Sequence, residues 1–285
     1  MKINYGSILV VFLVLVCWNV VAISQDWDLA EIAVPKNLAN LDSATAHIQA
    51  VQNLDDAVEP LLDLFGFYTG GGLYHSAKVH GMGGFDVGIR VITMMVSDDQ
   101  KPPLPNADPK YEGGVFRDVS LTPLPLLQVS VGLPGSLEAT GRFFTYPIKR
   151  DTTEGFIGLI GLGVKYGLLQ NILLPRVSIV AVYHYLSVPS EFDFGSVNSL
   201  SAALVISKNF QIVDIYGGLG YDYTTLKIDL EFPDPIGPVT KEYNKGNFRG
   251  NLGIKVKPIP LLYIHADYNF GGVQGFNAGL GINFR

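Results

Sequence analysis

Two histidines and a nearby acid are the first side chains in this sequence that could do chemistry. His75 and His80 lie shortly before Asp86, and imidazole and carboxylate groups are common zinc ligands. Residues five apart on a strand point to opposite faces, so both imidazoles would reach one metal only if the chain turned between them. The spacing favours polar strand or turn residues, and we predict neither a metal site nor another cofactor.

Nucleophilic catalysis would need a serine, a histidine and an acid held together on neighbouring strands or loops. The serines and histidines of interest are spread along the chain without a linking spacing: Ser178, Ser199, Ser201, His184 and His265. The glycine-rich stretch GMGGFD lacks the strand–loop–helix context of a phosphate-binding loop, so a turn is the plainer interpretation. We therefore predict that the protein is not an enzyme.

Charged residues on one side of alternating segments form the most informative set. These segments alternate apolar with polar residues, and their polar side carries both signs of charge. The members of the set are Asp86, Arg90, Glu138, Arg142, Lys165, Asp222, Arg249, Lys255, His265 and Asp267. If they face the lumen of a barrel, they line either a wet channel whose charges set selectivity or a small, filled barrel in which the charges pair.

The elements that position these charges are strands, because the hydrophobic pattern from Tyr68 onward has a period of two. Long external loops are predicted at residues 97–114 and 231–247, which are rich in proline and polar residues. The candidate strands are Gly72–His80, Phe85–Val96, Val115–Leu133, Leu137–Tyr146, Phe156–Tyr166, Val177–Leu186, Ser199–Ser207, Ile212–Leu226, Asn247–Val256, Leu262–Phe270 and Phe276–Phe284.

Lipid, rather than a protein core, is the expected environment of the apolar faces. The segments are nearer ~10 residues than the ~5–6 usual in globular proteins, and aromatic residues stand at their ends, as at membrane interfaces. A sheet in lipid must close, because unpaired edge groups cost several kcal/mol each there. The sequence predicts an all-β, antiparallel transmembrane β-barrel of about 12 strands. A secreted, soluble β-sandwich is the alternative.

The first 66 residues differ from the rest. Residues 1–24 resemble a signal peptide cleaved near Ser24, with Lys2 before an apolar stretch and a small-x-small site at its end; an uncleaved anchor helix is the alternative. Residues 25–66 carry apolar residues at helical spacing, and Pro60 predicts a kink or two short helices. This helical segment is expected to be a plug or a periplasmic cap, followed by the barrel at residues 67–285.

Composition narrows the partners and the chemistry. The formal net charge is −6 without a basic cluster, which gives no support for nucleic-acid binding. Cys17 is the only cysteine, and cleavage of the signal would remove it. We therefore expect neither disulfides nor thiol chemistry.

An export signal, many amphipathic strands and a final strand ending in an aromatic residue make the chain resemble bacterial outer-membrane β-barrels. The resemblance implies a location in the bacterial outer membrane, with membrane lipid as a partner. It also implies that the last strand is recognised by the barrel-assembly machinery, through Phe276, Leu280, Ile282 and Phe284. The chain departs from that pattern in one respect, since Arg285 follows the terminal aromatic.

The stretch EPLLDLFGFYTGGGLYHSAKVHGMGGFDVGIR, residues 59–90, is similar to the start of an uncharacterised family of barrel-type proteins. There a short helix leads through a glycine-rich turn into a Y-x-x-A-K-x-H…G-F-D hairpin. The matching residues are Tyr74, Ala77, Lys78, His80, Gly84, Phe85 and Asp86. This resemblance implies a first hairpin at the motif and carries no known activity.

The function expected from these observations is a narrow channel or binding protein for a small solute, without covalent chemistry. The alternative is a closed structural barrel that acts as an anchor, with its long loops binding a partner. The mixed charges of the inner face favour the first, and the long predicted loops favour the second.

Overall fold

The structure, a computed structural model, describes residues 29–104, 106–108, 114–150, 153–187 and 195–284. The predicted signal peptide at residues 1–24 and the terminal Arg285 lie outside the described residues.

In the part of the chain that the structure describes, ten antiparallel strands close into a barrel, in which each strand pairs with its neighbours in the sequence and the first strand pairs with the last. The strands are β1 (Phe85–Met95), β2 (Leu121–Leu133), β3 (Leu137–Arg150), β4 (Thr153–Leu169), β5 (Arg176–Ser187), β6 (Ser196–Phe210), β7 (Val213–Glu231), β8 (Pro238–Val256), β9 (Leu262–Gly271) and β10 (Gly275–Phe284). The predicted closed antiparallel barrel is confirmed. The closed ring rules out the β-sandwich alternative.

The prediction of about 12 strands is wrong, because some strands are longer than expected and the first strand starts later. β7 and β8 have 19 residues each, more than a membrane-spanning strand needs. The candidate strand at 72–80 is not a strand either, and β1 begins only at Phe85. Longer strands and a later start leave ten strands in the same length of chain.

The barrel closes between its first and last strands. β1 pairs with β10 from Phe85 opposite Phe284 to Met94 opposite Gly275. The regular alternation at the end of the sequence therefore continues a ring of hydrogen bonds. This pairing leaves neither strand with an open edge, as lipid requires.

The outer surface of the barrel carries a broad apolar band. On β4 the outward-facing side chains from Phe156 to Leu168 are apolar and 44–69% exposed. Twelve residue steps of about 3.3 Å, on a strand tilted by about 40°, cover about 30 Å, close to the apolar bands of outer-membrane barrels. Aromatic pairs stand near both edges, with ring centroids 4.9 Å apart in Tyr221–Phe248 and 5.8 Å apart in Phe85–Phe284.

The two mouths of the barrel differ. One mouth, here the short-turn mouth, holds the beginning of β1, the end of β10 and the connections 134–136, 170–175, 211–212 and 257–261. The other, the long-loop mouth, holds the ends of β1, β3, β5, β7 and β9 and the described connections 232–237 and 272–274. Short turns face the periplasm in bacterial outer-membrane barrels and longer loops face outward.

A short helix, α1 (Leu29–Ala33), packs on a long helix, α2 (Ser43–Gly70). α2 is continuous through Pro60, so of the two predicted alternatives, two short helices or a kink, the first is wrong. Its N-cap is Asp42, whose side chain accepts a hydrogen bond from the backbone N–H of Thr45. Among the described residues, no helix combines the length and apolarity needed to cross a membrane.

α2 lies inside the barrel and runs from the long-loop mouth toward the short-turn mouth. In the first turns of α2, His47 Nδ1 lies 3.1 Å from the carbonyl oxygen of Ile236, which belongs to the β7–β8 connection. At its end, the Thr69 hydroxyl lies 2.8 Å from that of Ser199 on the inner wall. The segment that enters the barrel thus starts at the mouth opposite to the one where β1 begins.

Residues 71–84 continue from α2 to β1 without helix or strand structure. Their backbone groups bond to side chains of the wall, as in Ala77 N–H to Ser207 Oγ at 2.9 Å and His80 N–H to a Glu138 oxygen at 3.1 Å. The predicted strand and first hairpin are wrong because these side chains take the place of a neighbouring strand. We call residues 43–84 the plug.

The β7–β8 hairpin projects beyond the apolar band at the long-loop mouth. Its outward side chains become polar beyond Tyr223 on β7, and the helix packs on its inner face. The long external loop predicted at residues 231–247 is therefore wrong in most of its length, since only residues 232–237 connect the two strands.

Candidate functional site

The ten charged residues predicted to line the lumen all face the inside of the barrel and are at most 7% exposed. They are Asp86, Arg90, Glu138, Arg142, Lys165, Asp222, Arg249, Lys255, His265 and Asp267. With the side chains that contact them they form a layer, here the lumenal polar layer, around the end of α2 and residues 71–80. The layer contains four groups of contacts and the Asp222–Arg249 ion pair.

The first group surrounds Arg90. One guanidinium nitrogen lies 2.7 Å from His265 Nε2, and the other contacts His75 Nδ1 at 2.9 Å and Asp86 Oδ1 at 3.1 Å. The Tyr263 hydroxyl donates to the same carboxylate at 2.8 Å, and the His75 ring stacks on the Tyr263 ring. Of these residues only His75 belongs to the plug, so Arg90 and Asp86 would keep each other if the plug left.

The second group surrounds Asp267, which accepts hydrogen bonds from neutral side chains. Tyr216 donates to it at 2.8 Å and Asn277 at 2.7 Å, and the amides of Asn251 and Asn269 reach the same carboxylate. Asn251 in turn accepts a hydrogen bond at 2.7 Å from Tyr74 of the plug, which ties the group to the plug.

The third group is centred on Glu138. Its carboxylate lies 2.7 Å from Lys165 Nζ and 2.7 Å from His80 Nδ1. Lys165 belongs to the wall and His80 to the plug. Glu138 therefore has one partner of each kind, and the histidine contact fastens the plug near the short-turn mouth.

The fourth group holds the C-terminal end of α2. Arg142 donates to the carbonyl oxygens of Thr69 at 2.6 Å and Gly71 at 2.7 Å, and it lies 3.0 Å from His184 Nε2. Cations are favoured beside helix C-termini, where carbonyl groups lack helical partners. Among the described residues, Arg142 Nε and His184 Nδ1 have no hydrogen-bond partner.

Gly70 has no room for a side chain because of its close approach to the wall. A Cβ atom there would lie 2.2–2.3 Å from the carboxylate atoms of Asp222, and Arg249 holds that carboxylate with Nε at 2.9 Å. The end of α2 is therefore clasped between Arg142 on one side and the Asp222–Arg249 pair on the other.

Above the lumenal polar layer, toward the long-loop mouth, the helix packs on apolar side chains. These residues, here the apolar layer, include Leu54, Ala57, Val58 and Leu61 of the helix and Leu226, Ile228 and Leu230 of β7, all at most 4% exposed. The barrel thus has a dry upper filling and a polar lower one.

The acids of the helix meet lysines of β8 beside the apolar layer. Lys241 Nζ lies 2.6 Å from Asp55, and Lys245 Nζ lies 2.8 Å from Glu59 and 2.9 Å from Asp63. Partial burial, reinforced by the neighbouring carboxylates of Asp55 and Glu59, raises the pKa of Asp56. These contacts were missed at the sequence level, although a helix with acids and no lysine or arginine indicates a basic partner.

His75, His80 and Asp86 do not come together as one set. His75 contacts Asp86 and His80 contacts Glu138, in two separate groups. Within the described ranges, no cluster of three or more histidine, cysteine or acidic residues has the arrangement of a metal site. His184 joins Arg142 and His265 joins Arg90, rather than serines.

The residues predicted to form the C-terminal assembly signal share the outer face of β10. Phe276, Ile282 and Phe284 are 40–47% exposed, and Leu280 is half-buried on the same side. Their side chains belong to the apolar band, next to β1. Recognition of this strand during assembly stays a prediction.

A family model described as a family of unknown function (DUF6588) matches residues 106–284. The match covers well over half of the chain and includes β2 to β10. The chain belongs to DUF6588. The inferred resemblance to barrel proteins of an uncharacterised family is thereby confirmed, although the motif at residues 74–86 precedes the matched region.

Solved structures similar to the DUF6588 chain are barrels from bacteria. Ail, the attachment invasion locus protein of Yersinia pestis, is 15% identical over 71% of this chain and 99% of its own, with a TM-score of 0.32. The N-terminal β-barrel domain of Pseudomonas aeruginosa OprF is 14% identical over 53% and 98%, with a TM-score of 0.30. The translocator domain of the autotransporter NalP from Neisseria meningitidis is 12% identical over 81% and 98%, with a TM-score of 0.36.

No curated protein matches the DUF6588 chain in sequence. The identities and TM-scores of the solved structures are too low to carry a function over to it.

Proposed function

We propose that this DUF6588 protein is a bacterial outer-membrane barrel that its own plug closes at rest, and that it passes or binds a small polar solute when the plug yields. It does so without covalent chemistry. The apolar band of about 30 Å, with aromatic residues near its edges, supports placement in a membrane. The short-turn mouth then faces the periplasm and the long-loop mouth faces outward.

The observation that carries the proposal is a charged layer buried against a separate segment of the chain. Removing an ion from water costs on the order of several kcal/mol, and pairing often only repays that cost. A barrel that serves only as an anchor could be filled with apolar side chains, as its own upper half is. Burying apolar side chains does not carry the free-energy cost of burying charges. A charged wall beneath a plug suits a lumen that is wet in another state.

The plug is also attached in a way that allows movement. Its covalent connection to the barrel is at Phe85, and its other contacts with the wall are noncovalent. In the lumenal polar layer these are hydrogen bonds and ion pairs, each worth about 0.5–1.5 kcal/mol net, or about 1.5–3 kcal/mol when a charge takes part. Water or a polar solute can replace such contacts, which it cannot do for packed apolar side chains.

A disulfide between plug and wall tests the proposal. The hydroxyl oxygens of Thr69 and Ser199 lie 2.8 Å apart, so Thr69→Cys with Ser199→Cys, in a Cys17→Ser background, places two sulfurs within bonding reach. Conductance of the purified protein in planar bilayers is measured before and after reduction. The oxidised variant should stay closed, and reduction should restore the openings of the parent protein.

The matched control joins two wall strands instead. The hydroxyl oxygens of Ser130 on β2 and Thr140 on β3 lie 2.9 Å apart, so Ser130→Cys with Thr140→Cys forms a similar bond that joins two wall strands and leaves the plug unattached. Its conductance should not respond to reduction. A parent protein that never conducts, or a plug-locked variant that conducts like its reduced form, contradicts the proposal.

A second candidate is a permanently closed barrel whose surface at the long-loop mouth binds a partner. The observation in its favour is that the projecting β7–β8 hairpin, the start of α2 and residues 96–104 pack together at the long-loop mouth. Deletion of residues 98–104 should then abolish partner binding on intact cells, while heat-modifiable migration on gels shows that the barrel still forms. Openings that the plug lock abolishes would favour the channel instead.

A further inference from the structure

The charges of the plug and the wall are divided unevenly. α2 carries four acids, Asp55, Asp56, Glu59 and Asp63, and no lysine or arginine. Three of these acids pair with two lysines of β8, Lys241 and Lys245. Withdrawal of the helix would therefore remove negative charge from the lumen and leave both lysines without these partners.

Arg142, at the end of α2 nearer the short-turn mouth, would also lose partners if the helix withdrew. Its described partners are two carbonyl oxygens of the plug and the neutral acceptor nitrogen of His184, and no described carboxylate pairs with it. A guanidinium bonded only to neutral groups is buried without a counter-ion. Once Thr69 and Gly71 move away, it becomes an unpaired cation in the lumen.

The acids of the wall behave differently, because they keep partners that belong to the wall. Asp86 stays with Arg90, Glu138 with Lys165 and Asp222 with Arg249. Asp267 keeps its neutral donors on the wall, Tyr216 and Asn277. The charges freed by withdrawal of the helix are thus positive at each contact described above. The open wall is left with Arg142 deep inside and the two lysines nearer the long-loop mouth.

We infer that the solute of the proposed channel is a small oxyanion, such as a carboxylate or phosphate, and that Arg142 selects it. This inference rests on the proposed function. A guanidinium matches the two oxygens of such anions with paired hydrogen bonds. Arg142 is 2% exposed, whereas the side chains of Lys241 and Lys245 are 36% and 24% exposed, so solvent screens the lysines more strongly.

The first experiment measures the reversal potential in a KCl gradient across a planar bilayer. The parent protein should favour chloride over potassium, and Arg142→Gln should lower that preference several-fold. Lys227→Gln is the matched control, since Lys227 pairs with Glu242 on the outer face of the same β7–β8 hairpin, with 60% of its side chain exposed. That variant loses the same charge outside the lumen and should keep the parent preference.

The second experiment uses inorganic phosphate as the probe. Phosphate should reduce the chloride current of the parent protein and should do so much less in Arg142→Gln. If Arg142→Gln fails to fold, as shown by loss of heat-modifiable migration, the double variant Lys241→Gln with Lys245→Gln decides in its place and should lower the chloride preference.

The possible failures are distinct. A parent protein that conducts, and that the plug lock closes, but that favours potassium overturns this inference alone. Equal selectivity of the parent protein and Arg142→Gln does the same. A parent protein that never conducts overturns the proposed function and this inference with it.

Discussion

The apolar layer and the lumenal polar layer fill the same barrel around the same segment of chain, but they hold that segment differently. Around Leu61 the helix is held by packed apolar side chains that are at most 4% exposed. Exposing these side chains to water is unfavourable. Around Thr69 and His80 the plug is kept by hydrogen bonds and ion pairs that water can replace. The comparison indicates that the apolar layer anchors the plug, whereas the lumenal polar layer is where it yields.

The largest effect is expected in the apolar layer. Leu61→Ala removes a fully buried side chain and should weaken docking of the helix by about 2–5 kcal/mol. Hydrogen exchange of the α2 amides in detergent should become much faster. The control is Ile48→Ala on the same helix, whose side chain is 56% exposed; if both variants behave alike, the apolar layer is not the anchor.

A smaller effect is expected where the plug meets Asp222. Gly70→Ala forces a Cβ atom against that carboxylate, and overpacking of this kind costs about 1–3 kcal/mol. The variant should open more often in bilayers than the parent protein. Gly81→Ala is the control, because a Cβ atom there meets nothing within 4 Å, and equal opening of the two variants would count against a tight fit at Gly70.

Arg142→Lys sharpens the comparison without changing the charge. A lysine cannot keep both carbonyl contacts of the guanidinium. Loss of one hydrogen bond from a charged group costs about 1.5–3 kcal/mol. Openings should be longer while the preference for chloride remains. Arg117→Lys, in an exposed part of the β1–β2 connection, should match the parent protein; unchanged openings in Arg142→Lys would show that this arginine does not hold the plug.

The smallest effect is expected at the start of the helix. The hydrogen bond from the Thr45 backbone N–H lowers the pKa of Asp42, so the cap stabilises the helix above the unfolded-state pKa and is lost as pH falls through the folded one. Asp42→Ala should speed amide exchange in the first turn at neutral pH, and the difference from the parent protein should vanish in acid. A difference that persists in acid would mean that the carboxylate is not its cause.

The faces of the strands could be predicted from the sequence because the period of two is local. Every charged residue of the predicted set faces the inside of the barrel, from Asp86 on β1 to Asp267 on β9. The strand number could not be predicted, because it depends on how far strands extend beyond the membrane. The alternation continues into the projecting β7–β8 hairpin, but there the apolar side chains of Leu226, Ile228 and Leu230 face inward to the helix. The proline and polar residues that follow them predicted a loop instead.

The position of the plug could not be predicted from the sequence for a different reason. Its contacts join residues far apart, such as Asp55 with Lys241, 186 positions later. A helical pattern shows that an apolar face must be covered, but not by which surface. For residues 71–80 the pattern was misleading, since the wall offers side chains rather than a neighbouring strand.

The most direct test of the account is the accessibility of the lumenal polar layer to water in the assembled barrel. Ser201 faces the lumen opposite Asp222 and is fully buried, so Ser201→Cys reports on this layer. A small, charged thiol reagent should label it slowly in membranes, and Leu61→Ala should speed the labelling because it releases the plug. A cysteine that stays unlabelled in both backgrounds until the barrel is boiled would contradict the account.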